Sequence, residues 1–179
     1  MSHAALQHDD EAAGHFNALA IANGWYARCD GSLSFDTPAL HGLAALWREK
    51  AAGALPKRND FGPREMRGAM AQMALFDAID GGKRFYIRLL GTALSEIYGN
   101  ITGRHIDEHF SPAVTEIWHA ALNETLNARR PLRYKGRVSY EQRNFFAVES
   151  IQAPLSETGS AADRILMVMY RLPGAILPA

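Results

Sequence analysis

Residues 84–104 read Arg-Phe-Tyr-Ile-Arg-Leu-Leu-Gly-Thr-Ala-Leu-Ser-Glu-Ile-Tyr-Gly-Asn-Ile-Thr-Gly-Arg. The first seven residues alternate as a strand, Gly91 breaks it, and Thr92 caps a short helix over Ala93 to Tyr98. Gly99 suits the left-handed residue that ends a helix, and a Thr-Gly-Arg turn follows. Upstream, residues 73–80 read as another strand. Asp80-Gly81-Gly82-Lys83 supplies the hairpin turn, because Gly-Gly takes the positive φ that a two-residue loop needs. That loop sets Ala78 opposite Phe85 and Phe76 opposite Ile87. Ala74, Phe76, Ala78, Phe85, Ile87 and Leu89 then share one apolar face, the core side. The other face carries Leu75, Asp77, Ile79, Arg84, Tyr86 and Arg88, a mixture that calls for a partial cover.

Working outward, residues 100–110 form an irregular connector. Ser111 then caps a long helix with Pro112 at its first position and Val114, Ile117, Trp118, Ala121, Leu122 and Thr125 as its buried stripe. Arg129-Arg130 suit its C-terminal dipole and Pro131 ends it. Residues 132–141 alternate as a strand with one wet face. Residues 145–155 and 164–172 are two more strands, joined by a polar connector over 156–163. On the other side, Asp36 or Thr37 caps a helix with Pro38 in its first turn and Leu40, Leu43, Ala44 and Trp47 on one face, ending near Gly53. Residues 55–63 connect to a short helix from Pro63 to Met70. The first 35 residues suggest a helix with Asp9, Asp10 and Glu11 at its N-terminal end, stopping near Asn23-Gly24, and then a linker over 29–36. The divisions are an extension over 1–35, helices over 36–70, a core over 71–172 and a tail over 173–179.

The chain has 179 residues, 47% hydrophobic and 21% charged, enough for a core. Nineteen Lys plus Arg balance nineteen Asp plus Glu, so no basic excess points to nucleic acid. The N-terminus lacks the pattern of a signal peptide, and the longest strongly apolar run, residues 165–170, is too short to span a bilayer. One cysteine, Cys29, allows no intrachain disulfide and no cysteine metal cage. A cytoplasmic chain is the simplest reading.

From Trp47 to Leu172 the sequence resembles a PAS-domain family of single-domain alphaproteobacterial sensor and regulatory proteins. The resemblance rests on Leu55-Pro56 with Arg58 and Asp60, Asp77, Arg88-Leu-Leu-Gly91-Thr92, Glu96, Gly99 and Thr102-Gly103-Arg104. It continues in Arg130-Pro131, Glu149 and Pro154-Leu155, with Ala153 where the family tends to carry Leu. The resemblance implies an α+β PAS fold, a five-stranded antiparallel sheet with helices on one face, here preceded by N-terminal helices. It also implies a sensory or regulatory role, with no agreed ligand and no catalytic residues to carry over. No kinase, cyclase or DNA-binding segment follows Leu172, so the output of such a sensor is a partner, a dimer interface or the N-terminal helices.

The haem reading turns on histidines. His119 lies on the long helix but falls to the solvent side of the stripe, while His105 and His109 in the preceding loop are better placed. Flavin photochemistry of the LOV type needs a cysteine near the flavin, and residues 99–104 contain none. Asp77 and Arg88 read as a cross-strand ion pair rather than a catalytic pair. Nucleophile-elbow, His-Glu-x-x-His, Walker and Gly-x-Gly-x-x-Gly motifs are absent.

The expectation is therefore a non-enzymatic PAS protein that binds a small molecule, a signalling partner protein or both, without nucleic acid or membrane. The candidate ligand residues are Tyr98, Asn100, Thr102, Arg104, His105 and Trp118, where polar groups meet an aromatic-lined space; Arg104 favours an anionic ligand. No metal site and no specific cofactor is predicted. A homodimer is expected, because the face with Leu75, Ile79 and Tyr86 is too apolar to stay bare and the N-terminal helices offer a second apolar surface. The helix with Leu40, Leu43 and Trp47 covers that face either within one subunit or across two. The competing reading is an interaction module whose core is filled by Phe76, Phe85, Tyr98, Trp118 and Tyr134. A haem sensor or a small cone-fold enzyme comes third.

Overall fold

The computed structural model describes residues 3–140 and 143–173, and within them the side chains of residues 13–138 and 146–173; the tail from residue 174 onward lies outside the described residues. The helices are α1 (His3–Ala22), α2 (Pro38–Ala51), α3 (Pro63–Met66), α4 (Thr92–Tyr98) and α5 (Pro112–Ala128). The strands are β1 (Ala27–Asp30), β2 (Met73–Ile79), β3 (Arg84–Leu90), β4 (Leu132–Tyr140), β5 (Arg143–Leu155) and β6 (Arg164–Arg171). They form one antiparallel sheet in the order β1-β4-β5-β6-β2-β3, with β2 inside it. The fold is the expected PAS-like α+β arrangement.

The sheet has six strands where five were expected, because β1 falls on residues read as the end of the extension and the start of a linker. Ala27 to Asp30 pair with Gly136 to Arg133 of β4. The cause is non-local. A Cβ on Gly136 would lie 2.9 Å from the Tyr26 carbonyl oxygen, so glycine lets the incoming chain approach. That carbonyl accepts the Arg137 N–H at 2.9 Å. Asn17 of α1 then satisfies the outer edge of β1: its Nδ2 donates to the Cys29 carbonyl at 2.9 Å and its Oδ1 accepts the Cys29 N–H at 2.8 Å. An edge that would otherwise pair with another chain is closed by one amide side chain. α1 itself begins at His3, so Asp9, Asp10 and Glu11 stand in its interior rather than at its N-terminal end.

The hairpin follows the expected register from Ile79–Arg84 to Phe76–Ile87, and then Leu75 pairs with Leu89. Arg88 is the extra residue of a β-bulge. The shift turns Leu89 to the outer face, against expectation, and Leu90 to the inner one. The hairpin loop spans four residues, 80–83, with positive φ at Asp80, Gly81 and Gly82. Its tip rests on α5, where Asn123 Nδ2 donates to the Gly82 carbonyl at 3.1 Å. Gly91, not Thr92, is the cap of α4.

Both faces of the sheet are covered within the chain. On the inner face Phe76, Phe85, Ile87, Ile165 and Met167 pack against Leu94 of α4 and Leu122 and Leu126 of α5. On the outer face Leu40, Leu43, Ala44 and Trp47 of α2 bury Leu75, Ile151, Leu155, Leu166 and Val168. Each large aliphatic side chain so buried contributes roughly 1.5–3 kcal/mol. Trp47 Nε1 donates to the Pro154 carbonyl at 2.9 Å. The start of α2 is held by Glu149, fully buried on β5, whose carboxylate accepts the N–H groups of Asp36 (3.0 Å) and Thr37 (2.7 Å). Arg133 Nε donates to the same carboxylate at 2.6 Å, and its guanidinium reaches Asp30 at 2.9 Å. One buried ion pair thus ties β1, α2, β4 and β5 together.

Candidate ligand cavity

The inward-facing residues of β4, β5 and β6 do not all reach α5. Between them lies a cavity of about 160 Å³. Its floor is Tyr134, Gly136 and Val138 of β4, Val148, Ser150 and Gln152 of β5, and Met167 and Met169 of β6. Its roof is Val114, Ile117, Trp118 and Ala121 of α5, and Tyr98 closes one end. Phe16 of α1 and Ala27 of β1 complete the wall on the side of the β1 edge. The opening exists because small residues occupy positions where larger ones would fill the layer: Gly136 on the sheet, Ala121 on the helix and Ser150 opposite Tyr134.

The polar groups in this wall fall into two sets. Tyr134 is committed to the protein: its hydroxyl donates to the Ala121 carbonyl at 2.9 Å and lies 3.2 Å from Thr125 Oγ1. Burial pushes its ionisation well above the usual tyrosine range, and does the same for Tyr98, so both stay protonated. Gln152 accepts from the Thr125 hydroxyl at 3.1 Å through one end of its amide. The other end of that amide and the Ser150 hydroxyl have no protein partner among the described residues, although the two residues are only 3% and 6% exposed. The cations of the lining are engaged outside the cavity. Lys135 Nζ is 2.6 Å from Asp36 Oδ2, and the Arg137 guanidinium sits 5.1 Å over the Tyr26 ring.

Of the six residues expected to form the site, the structure brings two together here. Tyr98 and Trp118 meet edge to face at 6.0 Å and both line the cavity. Asn100, Thr102 and Arg104 are exposed, and His105 is half-buried edge-on to Tyr86. These four run along the outer edge of β3, where the Gly103 N–H donates to the Ile87 carbonyl at 2.8 Å and the Ile87 N–H to the Arg104 carbonyl at 2.9 Å. None of the four lines the cavity. Beyond Tyr98, Trp118 and Met167 a second void of about 10 Å³ lies under Phe76 and Phe110, with room for one water at most.

Sequence reading missed Ser150, Gln152 and Phe16. The first two alternate with Glu149, Ile151 and Ala153 on β5, so two polar side chains on one face of a central strand were the available signal. Glu149 hid it, since the opposite face also carries a polar residue and both faces are buried. Phe16 becomes a wall residue only because β1 brings α1 over the sheet edge.

The remaining chemistry-bearing side chains serve the fold. Asp77 bonds Arg88 Nε and Arg164 Nε, each at 2.6 Å, as a cross-strand cluster. His109 Nε2 is 3.0 Å from the Tyr98 carbonyl and His105 Nδ1 is 3.1 Å from Glu108. His119 does not point to solvent as expected: α5 lies close over the hairpin, which places its Nε2 in a buried position against Phe85, without a hydrogen-bond partner among the described residues. Burial holds this imidazole below its ordinary value, with Asp107 pulling upward and Arg84 downward. The Cys29 thiol is pushed up to about 12 by burial, against the lowering bond from Tyr134, and so stays protonated. Among the described residues no cluster of three or more His, Cys, Asp or Glu is placed to hold a metal ion. The cavity offers a shaped apolar space and two hydrogen-bonding groups, which suits binding.

The sequence model of the family described as PAS domain matches residues 35–170. No protein of curated function matches the chain. Among solved structures, the chain is similar to the PAS domain from Bordetella pertussis BvgS, with 18% identity and a TM-score of 0.48 over 59% of this chain and 79% of that one. It is similar to the Rhodobacter sphaeroides LOV protein, with 14% identity and a TM-score of 0.44 over 79% of this chain and 71% of that one. A PAS domain of a protein from Colwellia psychrerythraea shows 13% identity and a TM-score of 0.45 over 63% of this chain and 98% of that one.

Proposed function

The chain belongs to the PAS domain family, and on that premise we propose that it is a sensory module that takes a small molecule into the space between the inner sheet face and α5. The observation that carries this reading is the cavity of about 160 Å³ with two buried side chains, Ser150 and Gln152, opening onto it. Its volume decides what is admitted. An apolar cavity of about 150 Å³ is known to take up benzene, whereas drug-sized ligands and cofactors need roughly 300–1,000 Å³. Haem or flavin would require the walls to separate. Phe16 and Ala27 belong to the wall, so occupancy is felt directly by α1 and β1, which gives a bound molecule a route to the protein surface.

Saturation-transfer NMR with toluene tests the site. The expected result is transfer with the unmodified protein and none with Ala121→Phe, whose new ring occupies the cavity, provided circular dichroism shows that variant folded. Transfer that survives in the folded variant places the binding elsewhere. No transfer to the unmodified protein from toluene, nor from a polar ring of the same size such as benzamide, removes the reading altogether.

A second reading, a homodimeric interaction module, is supported by Ile21 and Tyr26, 68% and 53% exposed on either side of the turn from α1 to β1. Light scattering should then show a dimer that Ile21→Asp splits. A monomer at high micromolar concentration would reject it.

A further inference from the structure

Resting on the cavity reading above, we infer that the ligand is a compact, uncharged ring compound of about six to ten non-hydrogen atoms. It carries one neutral hydrogen-bonding group, an amide or a hydroxyl, seated on Ser150 and Gln152. Three observations converge on this class. The first is size: the cavity volume matches that of a site that accepts a single benzene ring.

The second is charge. The two cations in the wall are held away from the interior, Lys135 by Asp36 and Arg137 by the Tyr26 ring. An ionised ligand would therefore be desolvated without a counter-charge, a cost that a neutral isostere avoids.

The third is the placement of polar capacity. Ser150 and Gln152 stand two residues apart on one strand, so their side chains emerge on the same face and side by side. A serine hydroxyl both donates and accepts, and the outward end of the Gln152 amide adds a second group. The rest of the surroundings is aromatic or thioether: Trp118, Phe16 and the sulfurs of Met167 and Met169, which favour a flat ring over a flexible chain. A single water on Ser150 and Gln152 would satisfy the polar pair and leave the apolar volume unfilled, whereas a ring with one polar substituent fills both.

The test is a titration of the full chain at pH 7 with three probes of similar shape: toluene, benzamide and benzoate. Benzamide should bind at least about tenfold more tightly than benzoate, because the two differ in little but the charge. Ser150→Ala and Gln152→Met should each weaken benzamide by about tenfold, the loss expected for one buried hydrogen bond, and weaken toluene far less. Each variant reads the polar pair independently should the other fail to fold. Benzoate binding as tightly as benzamide would overturn the inference. So would toluene and benzamide weakening in parallel in the variants. In both cases toluene binding to the unmodified protein leaves the cavity reading standing. If neither toluene nor benzamide binds, both fall.

Discussion

Glu149 shows how much a single buried carboxylate organises. It accepts two backbone N–H groups at the start of α2 and the Arg133 guanidinium, at a position with no solvent exposure. Burial raises its pKa, but the bonds from Thr37, Asp36 and Arg133 outweigh this and hold it below the ordinary glutamate value. Glu149→Gln removes one partner of a buried pair, and Arg133 keeps Asp30, so the expected loss is about 3 kcal/mol. It should appear as a lower urea midpoint with an unchanged slope. A depressed carboxyl contributes stability that is complete above its unfolded pKa, roughly 4, and is lost as pH falls through the lower folded value. His119 acts earlier. Its folded pKa is also depressed, so its contribution is complete above roughly 6.5 and is lost as the solution acidifies below that. His119→Phe keeps the packing on Phe85 and should abolish the part of the stability change between pH 7 and pH 5 in thermal unfolding curves. An unchanged pH profile would assign that part to another group.

At the level of elements, the hairpin was readable because its two strands alternate cleanly and two glycines mark the loop. The bulge at Arg88 was not, since nothing local distinguishes Leu89 from Leu90; α2 on one face and α4 with α5 on the other decide which leucine goes where. β1 was illegible for a sharper reason. Ala-Arg-Cys-Asp alternates, but over only four residues and without a β-branched or aromatic side chain to mark a strand. The strand exists because Gly136 and Asn17, far away in sequence, make room for it and close its edge. Gly136→Val tests this directly. Its side chain would meet the Tyr26 carbonyl at 2.9 Å or less, so the strand must shift, at a cost of about 1–3 kcal/mol. Hydrogen exchange should quicken at the Arg137 amide, which bonds that carbonyl, and at Cys29, while β2 and β3 stay protected. Uniform quickening across the sheet would instead mean that β1 is an integral part of the core.

For the whole molecule, the sequence conveyed an inner apolar layer, a covered outer face and a PAS architecture. It did not convey where the layer fails to close. That depends on small residues meeting across three strands and a helix, a coincidence of Gly136, Ser150 and Ala121 that no single segment displays. Of the outer face read as a reason for pairing two copies, Leu75 is covered by α2 of the same chain and is only 3% exposed, whereas Ile79 at the end of β2 stays 37% exposed. The molecule is thus a sheet packed on one side by its own α2 and leaving a cavity of about 160 Å³ under α5 on the other. Chemical-shift mapping of the isotope-labelled full chain during a benzamide titration tests this most directly. The account predicts shifts at Ser150, Gln152, Trp118, Val114 and Met169, spreading to Phe16. Shifts confined to Asn100, Thr102, Arg104 and His105 on the edge of β3, with the cavity residues unmoved, would contradict it.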